Sequence, residues 1–166
     1  MIEKVQIKTA LCDARLADEL QSAKSDSILE QILLFGESEL EKMMSGKPET
    51  FENFPTAADD TCLIAFTSGT TGNPKGTMHF QRDMLTICRA HSEPILAPTP
   101  RDRFIGSPPL AFTFGLGGQL LFPMYARAST ILLEKASPDL LLSAIKNNRQ
   151  ASFLPHQPHI VFCFLN

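Results

Sequence analysis

The chain has 166 residues, 43% of them hydrophobic and 20% charged, with a formal net charge of −3. Those values suit one folded domain with a real core and exclude a disordered chain. No dense Lys/Arg stripe is present, which argues against nucleic acid or an anionic membrane surface as partner. No apolar run approaches the ~18 residues of a membrane span. The N-terminus lacks the apolar middle of a signal peptide, so the expected location is cytoplasmic.

In chain order, Val5 to Leu11 alternate as a strand, with Val5, Ile7 and Leu11 apolar. Asp13 is placed to cap a helix over about Ala14 to Ala23. Ile28 to Phe35 fits either a strand or a helix start. Glu37 to Met44 suits a helix that Gly46 and Pro48 end. Lys47 to Asp60 is polar and turn-rich and is expected to be a connecting loop. Thr61 to Phe66 is a compact apolar strand, and helical spacing resumes from about Gln81 to Ala90. Pro94, Pro98 and Pro100 argue against regular helix or central strand over Glu93 to Asp102. Phe104 to Gly106 suits a short strand closed by Pro108 and Pro109. Leu116 to Tyr125 suits a helix whose last turn Pro123 limits, and Thr130 to Leu133 a strand. Ser137 caps a final helix with Pro138 in its first turn and Asp139 favourable there. Leu140, Leu141, Ala144 and Ile145 form its apolar face. Strands alternating with helices predict an α/β fold with a mainly parallel sheet and flanking helices.

Cys12, Cys62, Cys88 and Cys163 are scattered, without a Cys-x-x-Cys pair, and read as isolated reduced thiols, mostly buried. His79 is either structural or faces a substrate pocket, and neither it nor His91 has an acid–base partner nearby in sequence. His156 and His159 form an H-x-x-H pair, but Pro155 and Pro158 oppose the helix that would align them, so no metal site is expected.

The most informative stretch is Leu63 to Gly76, LIAFTSGTTGNPKG. Gly69, Gly72 and Gly76 let backbone approach a ligand closely. Thr67, Ser68, Thr70 and Thr71 offer four hydroxyls within five residues, and Lys75 adds a positive charge. Amides, hydroxyls and a Lys together suit a polyphosphate. A Walker A loop requires Gly before the Lys and Ser/Thr after it, whereas Pro74 and Gly76 occupy those positions. On composition alone, a polar surface loop also fits.

The wording TSGTTGNPKG resembles the phosphate loop of the adenylate-forming (AMP-binding) superfamily, which includes acyl-CoA synthetases. The resemblance implies that Thr67, Ser68, Gly69, Thr70, Thr71, Gly72 and Lys75 hold the β- and γ-phosphates of ATP. Phe66 stands where many members have Tyr. KGTMHFQRDML looks like the start of the helix after the loop.

A second stretch, Gly106 to Gly118, is similar to the acyl-pocket motif, and its wording is nearest to the benzoate- and 2-aminobenzoate-CoA ligases. The resemblance implies an acyl pocket made by Ala111, Phe112, Thr113, Phe114, Gly115 and Gly117. Phe112 and Phe114 would pack on an aromatic ring, while Gly115, Gly117 and Gly118 leave room for it. A buried Phe/Gly turn without a ligand is the alternative.

Members of the family activate a carboxylate with ATP and magnesium, then pass the acyl group to CoA. The adenine-gripping motif, the ribose-gripping Asp and the C-terminal catalytic Lys have no counterpart in these residues, and no catalytic residue is assigned. Residues 1–151 are expected to be a partial adenylation domain, truncated at both ends and inactive alone. The alternatives are a stand-alone nucleotide-binding module or the non-functional product of a frameshifted gene. From Ser152 the family wording stops. Codons for Leu154 to Val161, displaced by two bases, can spell Thr-Ala-Pro-Thr-Ala-Tyr-Arg, the text these ligases resemble there. Residues 152–166 are therefore expected to be an out-of-frame tail.

Overall fold

A computed structural model describes residues 1–36, 39–67, 74–150 and 160–163. The chain divides into two compact units, Met1–Pro55 with Ser68–Pro74, and Thr56–Thr67 with Lys75–Asn166.

The first unit opens with a short helix, α1 (Ile2–Val5). Ile7 N–H donates to the Ile2 carbonyl at 3.1 Å, and Gln6 takes the left-handed conformation, φ 55°. This closed turn replaces the first half of the strand expected at Val5, and β1 begins only at Thr9 (Thr9–Asp13). Asp13 does end the strand as a cap: its Oδ1 accepts from Arg15 N–H at 2.9 Å, opening a 3₁₀ turn (Ala14–Leu16). Helix α2 (Ala17–Ser25) follows, and β2 (Gln31–Phe35) returns parallel to β1, pairing Thr9 with Gln31 through Asp13 with Phe35. Parallel strands require such a crossover, so this is a β-α-β unit. The segment that sequence left open is thus a strand. Helix α3 (Glu39–Ser45) ends beside Gly46.

In the second unit, β3 (Thr61–Thr67) and β4 (Lys75–Phe80) form an antiparallel hairpin. Residues Lys75 to Phe80, read in sequence as the entry to the helix, are therefore a strand, and the helix itself begins at Gln81, where its spacing placed it. The cause is ladder pairing: Lys75 to Phe80 take their partners from Thr61 to Thr67, and six residues cannot serve both a ladder and a helix. Helix α4 (Gln81–Ile87) starts with Asp83 accepting from Phe80 N–H at 2.8 Å. It then widens into π-type winding over Cys88–Leu96, through Pro94, and Ala97 N–H closes it on the Ser92 carbonyl at 3.0 Å. Helical winding thus runs further into the Pro-containing stretch than expected. The wider winding accommodates Pro94, whose ring excludes it from regular α-helix.

Strand β5 (Arg103–Gly106) sits between β6 (Ser129–Ile131) and β7 (Ile160–Cys163), both parallel to it. A continuous helical run links β5 to β6: α5 (Thr113–Leu116), a π-type stretch (Gly117–Leu121) and α6 (Phe122–Ala126). Helix α7 (Pro138–Gln150) follows β6, and Leu140 N–H reaches the Ser137 hydroxyl at 3.4 Å. Leu141, Ala144 and Ile145 are half-buried, but Leu140 is exposed and drops out of the expected apolar face. Phe104 and Ile105 of β5 are fully buried. Phe104, Cys88 and Phe122 form the core cluster, with Leu96, Leu121 and Ala128 packed around it. A buried Phe contributes roughly 2 kcal/mol by removal of apolar area from water, so β5 is the strand on which this unit depends.

Three of the four strand pairings described are parallel, which bears out the α/β class with mainly parallel pairing. The strands form three separate small sheets, not one.

Candidate functional site

The hairpin places the ends of the hydroxyl- and glycine-rich segment side by side. Thr67 closes β3, Lys75 opens β4, and the two are register partners. Lys75 is exposed. Gly76 pairs with Phe66, and a Cβ there would lie 3.4 Å from the Phe66 ring and 3.1 Å from an Ile64 methyl. The aromatic ring thus covers the glycine across the ladder. In the first unit, Lys4 Nζ donates to the Pro74 carbonyl at 2.9 Å, a contact that sequence gives no sign of. Ser68, Gly69, Thr70, Thr71 and Gly72 lie outside the described residues. By residue type alone, four hydroxyls, three glycines and a Lys are a donor set that suits a polyphosphate anion.

The expected acyl-pocket segment is built differently from its reading in sequence. Phe112 is 62% exposed and Phe114 48%. Gly115 is buried, and a Cβ there would sit within 2.6 Å of the Pro109 carbonyl carbon and 2.9 Å of the Pro108 oxygen. The space above Gly115 is therefore taken by backbone, whereas a Cβ at Gly117 would meet the Phe122 ring at an ordinary contact distance of 3.6 Å. Gly115 thus lets chain pack against chain instead of leaving room for a ring. Ala111 and Thr113 are exposed.

A cleft of about 310 Å³ lies next to this segment. Pro108, Pro109 and Leu110, which follow β5, wall one side, and Leu132 and Leu133, which follow β6, wall the other. It is thus at the carboxyl ends of two adjacent parallel strands, the usual place for ligands in such sheets. Ala111 to Gly117 do not line it.

His79 is half-buried in β4, opposite Leu63. His91 stacks on Phe122 with ring centroids 5.6 Å apart, which gives it a packing role that its sequence neighbours do not indicate. Cys12 and Cys88 are buried thiols, as expected for most of them, and burial pushes the Cys88 pKa up; Cys62 is exposed. His156 and His159 lie outside the described residues. Among the described residues, no helix is long and apolar enough to cross a membrane.

A family model described as AMP-binding enzyme matches residues 1–159. The chain belongs to the AMP-binding enzyme family. The match spans both the β3–β4 hairpin and the segment beside the cleft. Among curated relatives, this AMP-binding chain is 32% identical over 128 residues to the benzoate–CoA ligase of Thauera aromatica, covering 76% of the chain and 23% of that enzyme. It is 42% identical over 78 residues to the anthranilate–CoA ligase of Pseudomonas aeruginosa, covering 47% of the chain and 14% of that enzyme. The solved anthranilate CoA ligase AuaEII, in complex with anthranoyl-AMP, matches with a TM-score of 0.82 at 26% identity, over 89% of this chain and 30% of that one. The AMP-binding chain thus spans less than a third of the length of each of these relatives.

Proposed function

We propose that this chain is the phosphate-loop portion of an ATP-dependent aryl-CoA ligase. Such an enzyme joins a carboxylate to ATP, releasing pyrophosphate, and then passes the acyl group from the adenylate to the CoA thiol, releasing AMP. The observation that carries the reading is TSGTTGNPKG, which connects two paired strands inside a family match of residues 1–159. In this reading, Lys75 and the hydroxyls and amides of Thr67, Ser68, Gly69, Thr70, Thr71 and Gly72 hold the β- and γ-phosphates. Stabilising charge on the phosphates is the main task of the site. Magnesium, when bound with ATP, neutralises part of that charge.

Similarity to benzoate–CoA and anthranilate–CoA ligases favours an aromatic acid as substrate. The acyl-facing part is the segment Ala111, Phe112, Thr113, Phe114, Gly115 and Gly117. Its two exposed Phe rings offer an apolar surface to an aromatic group supplied from outside this chain. These 166 residues alone do not complete the reaction, because they contain no match to the family's adenine, ribose and catalytic Lys motifs. ATP titration followed by pyrophosphate release with benzoate or 2-aminobenzoate and CoA tests the reading. Measurable ATP binding without turnover is expected. Turnover would refute the inactivity, and absence of ATP binding would refute the phosphate site.

Residues 152–166 are, in the same proposal, out of frame with the rest. Sequencing the coding DNA tests this: the frame shifted by two bases should spell Thr-Ala-Pro-Thr-Ala-Tyr-Arg, and any other text rejects it. The pairing of Ile160–Cys163 with β5 is a backbone match that does not require a selected sequence, since ladder bonds use main-chain groups.

A further inference from the structure

Lys4 carries no role in the amino-acid sequence, yet the fold brings it to the end of the segment read as the phosphate loop. It lies on α1, a helix of only four residues. That helix is anchored through its neighbour: Glu3 Oε1 accepts from the Ile28 N–H at 2.9 Å, which ties α1 to the chain just ahead of β2. Gln6, in the left-handed conformation, closes the helix by donating from Nε2 to the Glu3 carbonyl at 2.8 Å. From this fixed turn the Lys4 ammonium reaches 70 positions along the sequence to the Pro74 carbonyl. Pro74 is the residue immediately before Lys75.

The bond to Pro74 uses one of three ammonium donors. Holding a long, exposed side chain in one place costs rotamer freedom, and a hydrogen bond to an exposed carbonyl offsets little of that in water. The charge itself has no partner within the fold. Among the described residues Lys4 forms no ion pair, whereas Lys8 has Glu30 and Arg15 has Asp13. Lys75 forms none either. Two lysines without carboxylates are thus joined to the same Pro74 carbonyl group, one by a hydrogen bond and one by the peptide bond. An anion held at Lys75 is then attracted by a second positive charge, and the attraction grows with the number of negative charges the anion carries.

We propose that Lys4 is a second cation for the polyphosphate, placed by its bond to Pro74. The proposal rests on the phosphate reading of Lys75 and adds to it a residue from a distant part of the chain.

The test titrates inorganic tripolyphosphate, which leaves adenine recognition out, into the full chain by calorimetry at low and at high salt. At low salt Lys4→Met should weaken binding about fivefold, the effect of one unit charge a few ångströms away in water. Lys4→Arg should keep most of the affinity. Lys4→Gln keeps an N–H donor without the charge and should lose as much as Lys4→Met, which the loss of a merely structural hydrogen bond does not predict. High salt should shrink these losses. Lys4 is exposed, so the variants should melt with the parent chain, and the Arg and Gln pair decides the matter even if the Met variant does not fold. Unchanged affinity in Lys4→Met, full affinity in Lys4→Gln, or a loss that salt does not touch would each overturn the role of Lys4. If Lys75→Ala abolishes binding while Lys4→Met leaves it intact, Lys4 alone is rejected. If the parent chain binds no tripolyphosphate, the phosphate reading and the role of Lys4 fall together.

Discussion

Thr67 and Lys75 are the last backbone pair of the β3–β4 ladder, facing each other across the mouth of the segment that joins the two strands. The cation is therefore set at the base of a hairpin rather than at the start of a helix, and its position is held by ladder bonds instead of a helix dipole.

Lys75→Ala should remove one charge-assisted phosphate contact and weaken ATP binding by roughly tenfold to a hundredfold. Lys75→Arg should retain part of the affinity. Fluorescence titration with an ATP analogue reads both variants, and an unchanged affinity for the Ala variant would mean that the segment is not the phosphate site.

Gly115 and Gly46 make opposite forecasts for the same substitution. At Gly115 a Cβ would run into the Pro109 carbonyl, which is backbone and cannot rotate away. Gly115→Ala should cost about 3 kcal/mol or more in urea denaturation. Nothing lies within 4 Å of a Cβ at Gly46, so Gly46→Ala should stay within about 0.5 kcal/mol of the parent chain.

Asp13 makes part of the stability depend on acid. The Arg15 guanidinium, and then the Arg15 backbone N–H, hold its pKa at about 2, against 3.8 for a free Asp. The folded pKa lies below the unfolded one, so the stabilisation is fully present above pH 3.8 and is lost as pH falls toward 2. Melting curves of the parent and Asp13→Asn should differ at neutral pH and converge through that window. A difference that persisted at pH 2 would contradict the assignment.

The thiols should separate by burial. In a Cys163→Ser background, Cys62 should react quickly with an alkylating reagent under native conditions. Cys12 and Cys88 should react only on unfolding, Cys88 the more so because burial raises its pKa. Mass spectrometry of the labelled peptides distinguishes the order.

The parts of the fold legible in sequence were those written in local chemistry. Asp13 and Ser137 cap where their side chains can reach nearby N–H groups. Pro108 and Pro109 stop β5 because proline cannot donate to a ladder. Other features depended on distant partners. Residues 75–80 become a strand only because Thr61 to Thr67 are available to pair with them. The cleft joins residues 106–110 to residues 132–136 through the parallel pairing of β5 with β6, and no periodicity encodes that meeting. The donor set proposed for phosphate was visible as residue types. The reading of Gly115 as open space was not safe, because a glycine that leaves room and a glycine already pressed against its neighbour look the same in sequence.

The end of α6 also offers an engineering handle. Ala128 N–H donates to the Pro123 carbonyl at 2.8 Å and Arg127 N–H to Met124 at 3.1 Å, a Schellman ending in which the left-handed position usually belongs to glycine. Arg127 holds φ 57° there, at a cost of roughly 1–2 kcal/mol for an L-residue. Arg127→Gly would relieve most of that strain and surrender roughly 0.5–1 kcal/mol to unfolded-chain entropy. Arg127 is exposed and away from the hairpin and the cleft lining. Arg127→Gly thus offers added stability at a position outside both the hairpin and the cleft lining.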